Sequence, residues 1–166
     1  VGKRRYITVP EYINGKKVST IASGAFANNV KIREVTLPST LARIEEGAFS
    51  GCSSLVSVDI PDGVKYIGES AFADTIRLKY VSITENSKLE IIDDEAFSGA
   101  VSLKEFYIPK DLYQVDGKAF MGDVRLAKFT VHPQNGYFAS KDGVLFTSDN
   151  KILVAFPADN GLSEYS

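Results

Sequence analysis

Apolar residues recur along this chain on a fixed long period, not on the short period of an amphipathic helix. The dipeptide Ala-Phe occurs at Ala25-Phe26, Ala48-Phe49, Ala71-Phe72, Ala96-Phe97 and Ala119-Phe120, at intervals of 23, 23, 25 and 23 residues. Six residues after each Phe stands Ile32, Leu55, Leu78, Leu103 or Leu126. Nine after it stands Val35, Val58, Val81, Phe106 or Phe129, and eleven after it Leu37, Ile60, Ile83, Ile108 or Val131. The last two positions lie two apart, which puts both side chains on one face of a short strand and turns the residue between them away. One strand per repeat is therefore predicted. Pro38, Pro61 and Pro109 follow directly; without an N–H they end the strand and turn the chain toward a second apolar pair, such as Leu41 and Ile44 or Val64 and Ile67.

A unit of this length cannot bury its own apolar residues, so successive units must stack, with the five Phe residues as one internal column. The spacing predicts a solenoid: a parallel ladder of about six short strands, irregular or short helical turns on the other side, and a C-terminal β-hairpin. The two extra residues of the third interval fall at Glu85 to Lys88, and Leu89 and Ile92 then restore the pattern. The run Asp93-Asp94-Glu95 precedes Ala96-Phe97, where carboxylates favour the start of a helical turn. Ile7, Val9 and Pro10 reproduce the strand of an earlier partial unit. After Pro133 the period breaks, and two apolar runs, Val144 to Phe146 and Ile152 to Phe156, flank a Ser148-Asp149-Asn150 turn. The expected organisation is one continuous domain: repeats over 1–133, a hairpin over 134–160, and the opening of a further repeat over 161–166 in a piece of a longer chain.

Composition narrows function more than fold. Lys and Arg number 19 against 21 Asp and Glu, for a net charge of -2, so no overall field favours nucleic acid. The basic cluster Lys3-Arg4-Arg5 reads as a solvated strand end. No apolar run approaches the roughly 20 residues that span a bilayer, and no membrane insertion is expected. No segment here reads as a signal peptide or lipidation site.

Catalysis requires groups that converge. The single Cys, Cys52, and the single His, His132, fall about three coils apart, on the order of 14 Å at strand spacing, which excludes a nucleophile–base pair. One Cys and one His do not make a zinc site; the acidic run lacks calcium-loop spacing; no phosphate-binding glycine motif occurs. No enzyme activity, metal or cofactor is expected. What remains is the outward face of the strands, whose columns read Tyr6, Glu34, Ser57, Tyr80, Glu105, Lys128 and Thr8, Thr36, Asp59, Ser82, Tyr107, Thr130. A third, less securely outward column reads Arg5, Arg33, Val56, Lys79, Lys104, Ala127. Tyr80, Tyr107, Lys79, Lys104 and Glu105 are the candidate binding residues, because Tyr is enriched in interface hot spots. Aromatic residues also suit strands for packing reasons alone.

The units Gly47-Ala48-Phe49-Ser50-Gly51-Cys52-Ser53-Ser54-Leu55 and Val58-Asp59-Ile60-Pro61-Asp62-Gly63-Val64-Lys65-Tyr66-Ile67-Gly68 closely resemble the BspA-like class of leucine-rich repeats. The resemblance runs from about Ile7 to Val131, and the segment Asn135 to Phe146 is similar to a hairpin that interrupts or ends such arrays. It implies a leucine-rich-repeat solenoid of the α/β class, dominated by β-structure. It further implies a bacterial surface or secreted protein, and a non-catalytic module that binds a host matrix or cell-surface protein. A spacer that displays another domain and a glycan-binding module are the alternatives. The family's Cys occurs only at Cys52; Asn29, Thr75, Ala100 and Asp123 occupy the equivalent positions.

Overall fold

The computed structural model describes residues 5–161 of the chain. Lys3, Arg4 and most of the proposed opening repeat at 161–166 lie outside the described residues. The first coil contains β1 (Tyr6–Thr8), the small hairpin β2 (Tyr12–Ile13) and β3 (Lys16–Lys17), and β4 (Thr20–Ile21). Four further coils contribute β5 (Glu34–Thr36) with β6 (Arg43–Ile44), β7 (Ser57–Asp59) with β8 (Tyr66–Ile67), β9 (Tyr80–Ser82) with β10 (Ile91–Ile92), and β11 (Glu105–Ile108) with β12 (Gln114–Val115). The chain ends in β13 (Lys128–Val131), β14 (Phe138–Lys141), β15 (Val144–Thr147) and β16 (Leu153–Ala155).

These strands build a solenoid of about five turns. Each coil forms two strands where one was expected. The front strands pair in parallel in the order β1-β5-β7-β9, with Val35 opposite Val58 and Val58 opposite Val81. The second apolar pair of each repeat also ends in a strand, and β4, β6, β8, β10 and β12 form an unbroken five-stranded parallel ladder. Ile21, Ile44, Ile67 and Ile92 point inward from it and are buried. The sequence cue is the alternation of these residues with the exposed or half-exposed Thr20, Arg43, Tyr66 and Ile91.

The expectation of helical turns is wrong, for a backbone reason. The described residues contain no helix. Two residues beyond each Phe, Asn28, Gly51, Asp74, Gly99 and Gly122 all have φ between 56° and 81°, and Gly24, Gly47, Ser70 and Glu95, two residues before, lie between 52° and 63°. A right-handed helix cannot run through left-handed residues at this spacing. The turn instead alternates its amides. Ala48 and Ser50 donate within the turn, to Glu45 O and Gly47 O, whereas Phe49 and Gly51 donate to the next coil, to Ala71 O at 2.7 Å and Ala73 O at 2.8 Å. Phe26, Phe72 and Phe97 repeat the coil-to-coil bond. The Asp93-Asp94-Glu95 carboxylates therefore cap no helix. Asp93 accepts from Tyr66 Oη at 2.7 Å, and Asp94 faces Lys118 Nζ at 3.4 Å.

The two-residue insertion breaks the front ladder. β11 pairs with β13 in a separate two-stranded sheet, while the chain before it detours through Thr84 to Lys88. That loop is held by Thr84 Oγ1 donating to Asp62 Oδ1 and by the Lys88 amide donating to Asp62 O. Leu89 and Ile92 then return to the core. At the other end of the array, β14, β15 and β16 form a three-stranded antiparallel sheet, so a third strand joins the two apolar runs. It packs against the last front strand: Phe129 N donates to Gly143 O, and Ser140 Oγ donates to Phe129 O.

The Phe column is the axis of the core. Ring centroids from Phe26 to Phe120 are separated by 5.0, 5.1, 5.2 and 5.5 Å, with planes within 7° of parallel. Phe106 and Phe129, which replace Val at the front-strand position, close the column's last two coils with tilted and edge-on contacts at 4.8 to 5.1 Å. Phe49, Phe72 and Phe97 are fully buried, and the end members Phe26 and Phe120 only partly. Truncating a central ring removes its transfer energy, leaves a cavity and unstacks two neighbours. Phe72→Ala is expected to lower unfolding free energy in urea by about 3–5 kcal/mol, and Phe26→Ala by clearly less; equal losses at the two positions would contradict the stacked column.

Candidate functional site

The front strands set the candidate residues out on a regular surface. Register pairs Tyr6 with Glu34, Glu34 with Ser57 and Ser57 with Tyr80, and pairs Glu105 with Lys128 beyond the break. In the neighbouring column Thr8 faces Thr36, Asp59 faces Ser82, and Tyr107 faces Thr130. Val35, Val58, Phe106 and Phe129 between these columns are buried. In the third column Arg5, Arg33, Lys79 and Lys104 are exposed, and Val56 and Ala127 are half-buried.

Tyr80 leaves 64% of its surface in solvent. Tyr107 is half-buried, and burial followed by the charge of Glu85 pushes its phenol above the usual range. The two tyrosines stand on successive front strands but flank the ladder break, and their rings make no stacking contact. Glu105 is engaged by Lys128 at 3.0 Å, an exposed pair of small energetic weight. This face can present rings, ammonium groups and backbone edges to a partner, and it holds no converging acid–base pair.

The residues with nucleophilic or basic chemistry sit apart. Cys52 is buried beneath the turns, its thiol donating to Phe26 O at 3.1 Å, and burial pushes its pKa up, which makes it a poor nucleophile. His132 follows β13, where its Nδ1 accepts from the Gln134 amide. Among the described residues no group of three or more His, Cys, Asp or Glu is placed to hold a metal ion. Nor do the described residues include a helix long and apolar enough to cross a membrane.

Over residues 12–141 the chain matches the family model of the BspA type leucine rich repeat region, in six copies. The chain belongs to the BspA-type leucine-rich repeat family. Several solved bacterial structures are similar to it. The pneumococcal vaccine antigen PcpA shares 27% identity and superposes with a TM-score of 0.81 over 97% of this chain and 48% of its own. The T. pallidum leucine rich repeat protein TpLRR shares 30% identity, with a TM-score of 0.74 over 77% of this chain and 59% of its own. A leucine rich cell surface protein of Faecalibacterium prausnitzii, at 21% identity and a TM-score of 0.65, covers 94% of this chain and 55% of its own and shows the fold alone. This chain thus spans about half the length of PcpA and under two thirds of TpLRR. No curated protein matches it. BspA-type repeats are generally a non-enzymatic scaffold for protein interaction.

Reasoning from sequence treats Asp123 as one more small loop residue of the Cys52 column, and the structure shows why it differs. Thr75, its counterpart two coils earlier, donates its hydroxyl to Phe72 O of its own turn at 2.6 Å, and the Cys52 thiol donates to Phe26 O of the preceding coil. An ionised carboxylate has no hydrogen to donate in that position. Asp123 is 2% exposed, and neither carboxylate oxygen has a hydrogen-bond partner. Burial accordingly pushes its pKa up to about 8, and the nearby Ala100 amide, whose hydrogen bond goes to Phe97 O, offsets this only in part. Because the folded state holds this proton well above the ordinary carboxylate range, it binds more protons than the unfolded chain between about pH 4 and 8. The Asp123 contribution to stability therefore falls as pH rises through that window, by up to about 1.4 kcal/mol per unit. In denaturation across pH 4 to 8 the wild type should lose stability relative to Asp123→Asn as pH rises; parallel curves would mean that Asp123 is ionised in the fold.

Proposed function

We propose that this array is a non-catalytic extracellular module of a bacterial cell-surface or secreted protein, which binds a protein partner through its front strand face. The exposed Tyr80 ring carries this reading. Among the described residues it has no stacking or side-chain hydrogen-bond partner, yet it stands on a rigid strand. There, an aromatic side chain with few rotatable bonds adds contact area at small entropic cost. Lys79 precedes it in the chain, and Lys104, Glu105 and Tyr107 belong to the next coil's front segment; half-buried and charged groups of this kind suit the polar rim of a protein interface. The likeness to PcpA, a pneumococcal vaccine antigen, supports a surface location and, with the family's interaction role, adhesion to a host matrix or cell-surface protein.

Binding should be measured by biosensor against purified matrix and cell-surface proteins, first with the wild type and then with Tyr80→Ala and the double variant Tyr80→Ala/Tyr107→Ala. Loss of the two rings is expected to weaken a bound partner by about 2 kcal/mol, roughly thirtyfold, while Tyr80→Ala leaves folding stability within about 0.5 kcal/mol because the ring is exposed. Unchanged affinity would overturn the strand-face reading, and absence of binding to any protein would leave the array a spacer that holds another domain away from the cell.

A further inference from the structure

The near-neutral net charge conceals a segregation of charge between the two shoulders of the turn. Residues entering the turn include Glu45, Glu46, Glu69, Asp93, Asp94 and Asp116. The stretch leaving the turn toward the front strand carries Lys31, Arg33, Arg77, Lys79, Lys104 and Arg125, and its one carboxyl is the buried Asp123. The period that stacks the coils also stacks these cations, because equivalent residues of neighbouring coils lie about 4.8 Å apart. Arg33 N donates to Arg5 O at 2.7 Å, which sets the two arginines side by side.

The N-terminal part of this basic shoulder is hollow. Arg5, Val30, Lys31, Arg33, Ser54 and Arg77 line a groove of about 410 Å³. Arg5, Lys31, Arg33 and Arg77 are all exposed, and among the described residues none of them makes an ion pair. Four cations around one hollow repel one another, and intramolecular carboxylates do not relieve them. Exposed apolar side chains accompany the charges: Val30, in the lining, is 55% exposed, and Ile76, outside the lining but next to Arg77 in sequence, 46%. They occupy equivalent positions two coils apart, four residues beyond Phe26 and Phe72.

We infer that this groove binds an extended acidic polypeptide segment in which carboxylate and apolar side chains alternate. Guanidinium groups offer forked donors to carboxylates, and clustered like charge attracts an oppositely charged partner from a distance. Val30 and Ile76 decide among polyanions. A sulfated glycan brings no apolar side chains to cover them. Single-stranded nucleic acid needs aromatic platforms on which bases stack, and no aromatic residue lines the groove. The partner class rests on the protein-binding reading above, but the surface differs from the tyrosine face, and the two respond to different substitutions.

The probe is a fluorescein-labelled peptide of alternating Glu and Leu, titrated with the protein by fluorescence anisotropy at low and at physiological salt. The wild type should bind it, less tightly as salt screens the charges. The exposed-site double variant Arg33→Glu/Arg77→Glu, with its fold checked by circular dichroism, should lose at least about tenfold in affinity. Val30→Ser/Ile76→Ser should weaken binding without changing its salt dependence. Tyr80→Ala/Tyr107→Ala should leave it unchanged, so that a failure of the strand-face reading is separable from a failure of this one. Absence of wild-type binding, equal binding by the charge-reversed variant, or preferential binding of a heparin fragment or oligothymidylate would overturn the assignment.

Discussion

Everything in this molecule depends on each coil repeating the previous one at the spacing of hydrogen-bonded strands. A single coil has too little interior to bury a Phe ring; two coils bury one between them, and each further coil completes the one before. The ring spacings of 5.0 to 5.5 Å along the Phe column match what neighbouring strands impose on all the coils. Three rows of backbone bonds fix that distance: the front ladder, the second ladder, and the alternate amides of the turns. The turn row is the most restrictive, because it places left-handed backbone on both sides of Phe26, Phe49, Phe72 and Phe97 and after Phe120. Ser70, Asp74 and Glu95 accept that conformation although they are not glycine, at a local cost that the stacked rings and axial hydrogen bonds offset.

The same repetition makes surfaces out of single residues. A residue type favoured at one position of the unit becomes a column, and a column becomes an edge, a stripe or a groove. This is how a chain with almost balanced charge presents separate acidic and basic shoulders, and how the exposed Tyr80 comes to sit on a strand face next to the exposed Lys79. Departures from the repeat act just as locally. The insertion at Glu85 to Lys88 interrupts the front ladder between β9 and β11 but leaves the second ladder continuous, since Leu89 and Ile92 regain their places in the core. Asp123 places an acid where Thr75 puts a hydroxyl and Cys52 a thiol, and burial raises its pKa.

Much of the architecture was legible because it is written in apolar spacing. The Ala-Phe period, the front strands and the inward-facing Val, Phe and Ile positions are all direct consequences of burial. Less legible was whatever depends on backbone conformation. Short turns containing Asp93-Asp94-Glu95 suggest a helix start by composition, and nothing in a carboxylate announces that Glu95 will take a positive φ. The second strand of each coil, only two residues long, is too short to register as a period. The candidate site was legible as alternation, which sends Tyr80 outward. The engagement of Glu105 by Lys128 and the hollow among Arg5, Lys31, Arg33 and Arg77 arise from residues a whole coil or more apart, and they emerge only once the coils are stacked.

Native-state hydrogen exchange at the turn amides tests this dependence most directly. If axial stacking holds the array as one unit, the amides of Phe49, Gly51 and Phe72, which donate to the next coil, exchange only through the same large opening that releases Val58 in the front ladder and Ile67 in the second. Their opening free energies should then agree within about 1 kcal/mol. Turn amides that exchange orders of magnitude faster than those of the two ladders would show that the Phe turns are a loose covering on a self-sufficient pair of sheets, and would contradict the account.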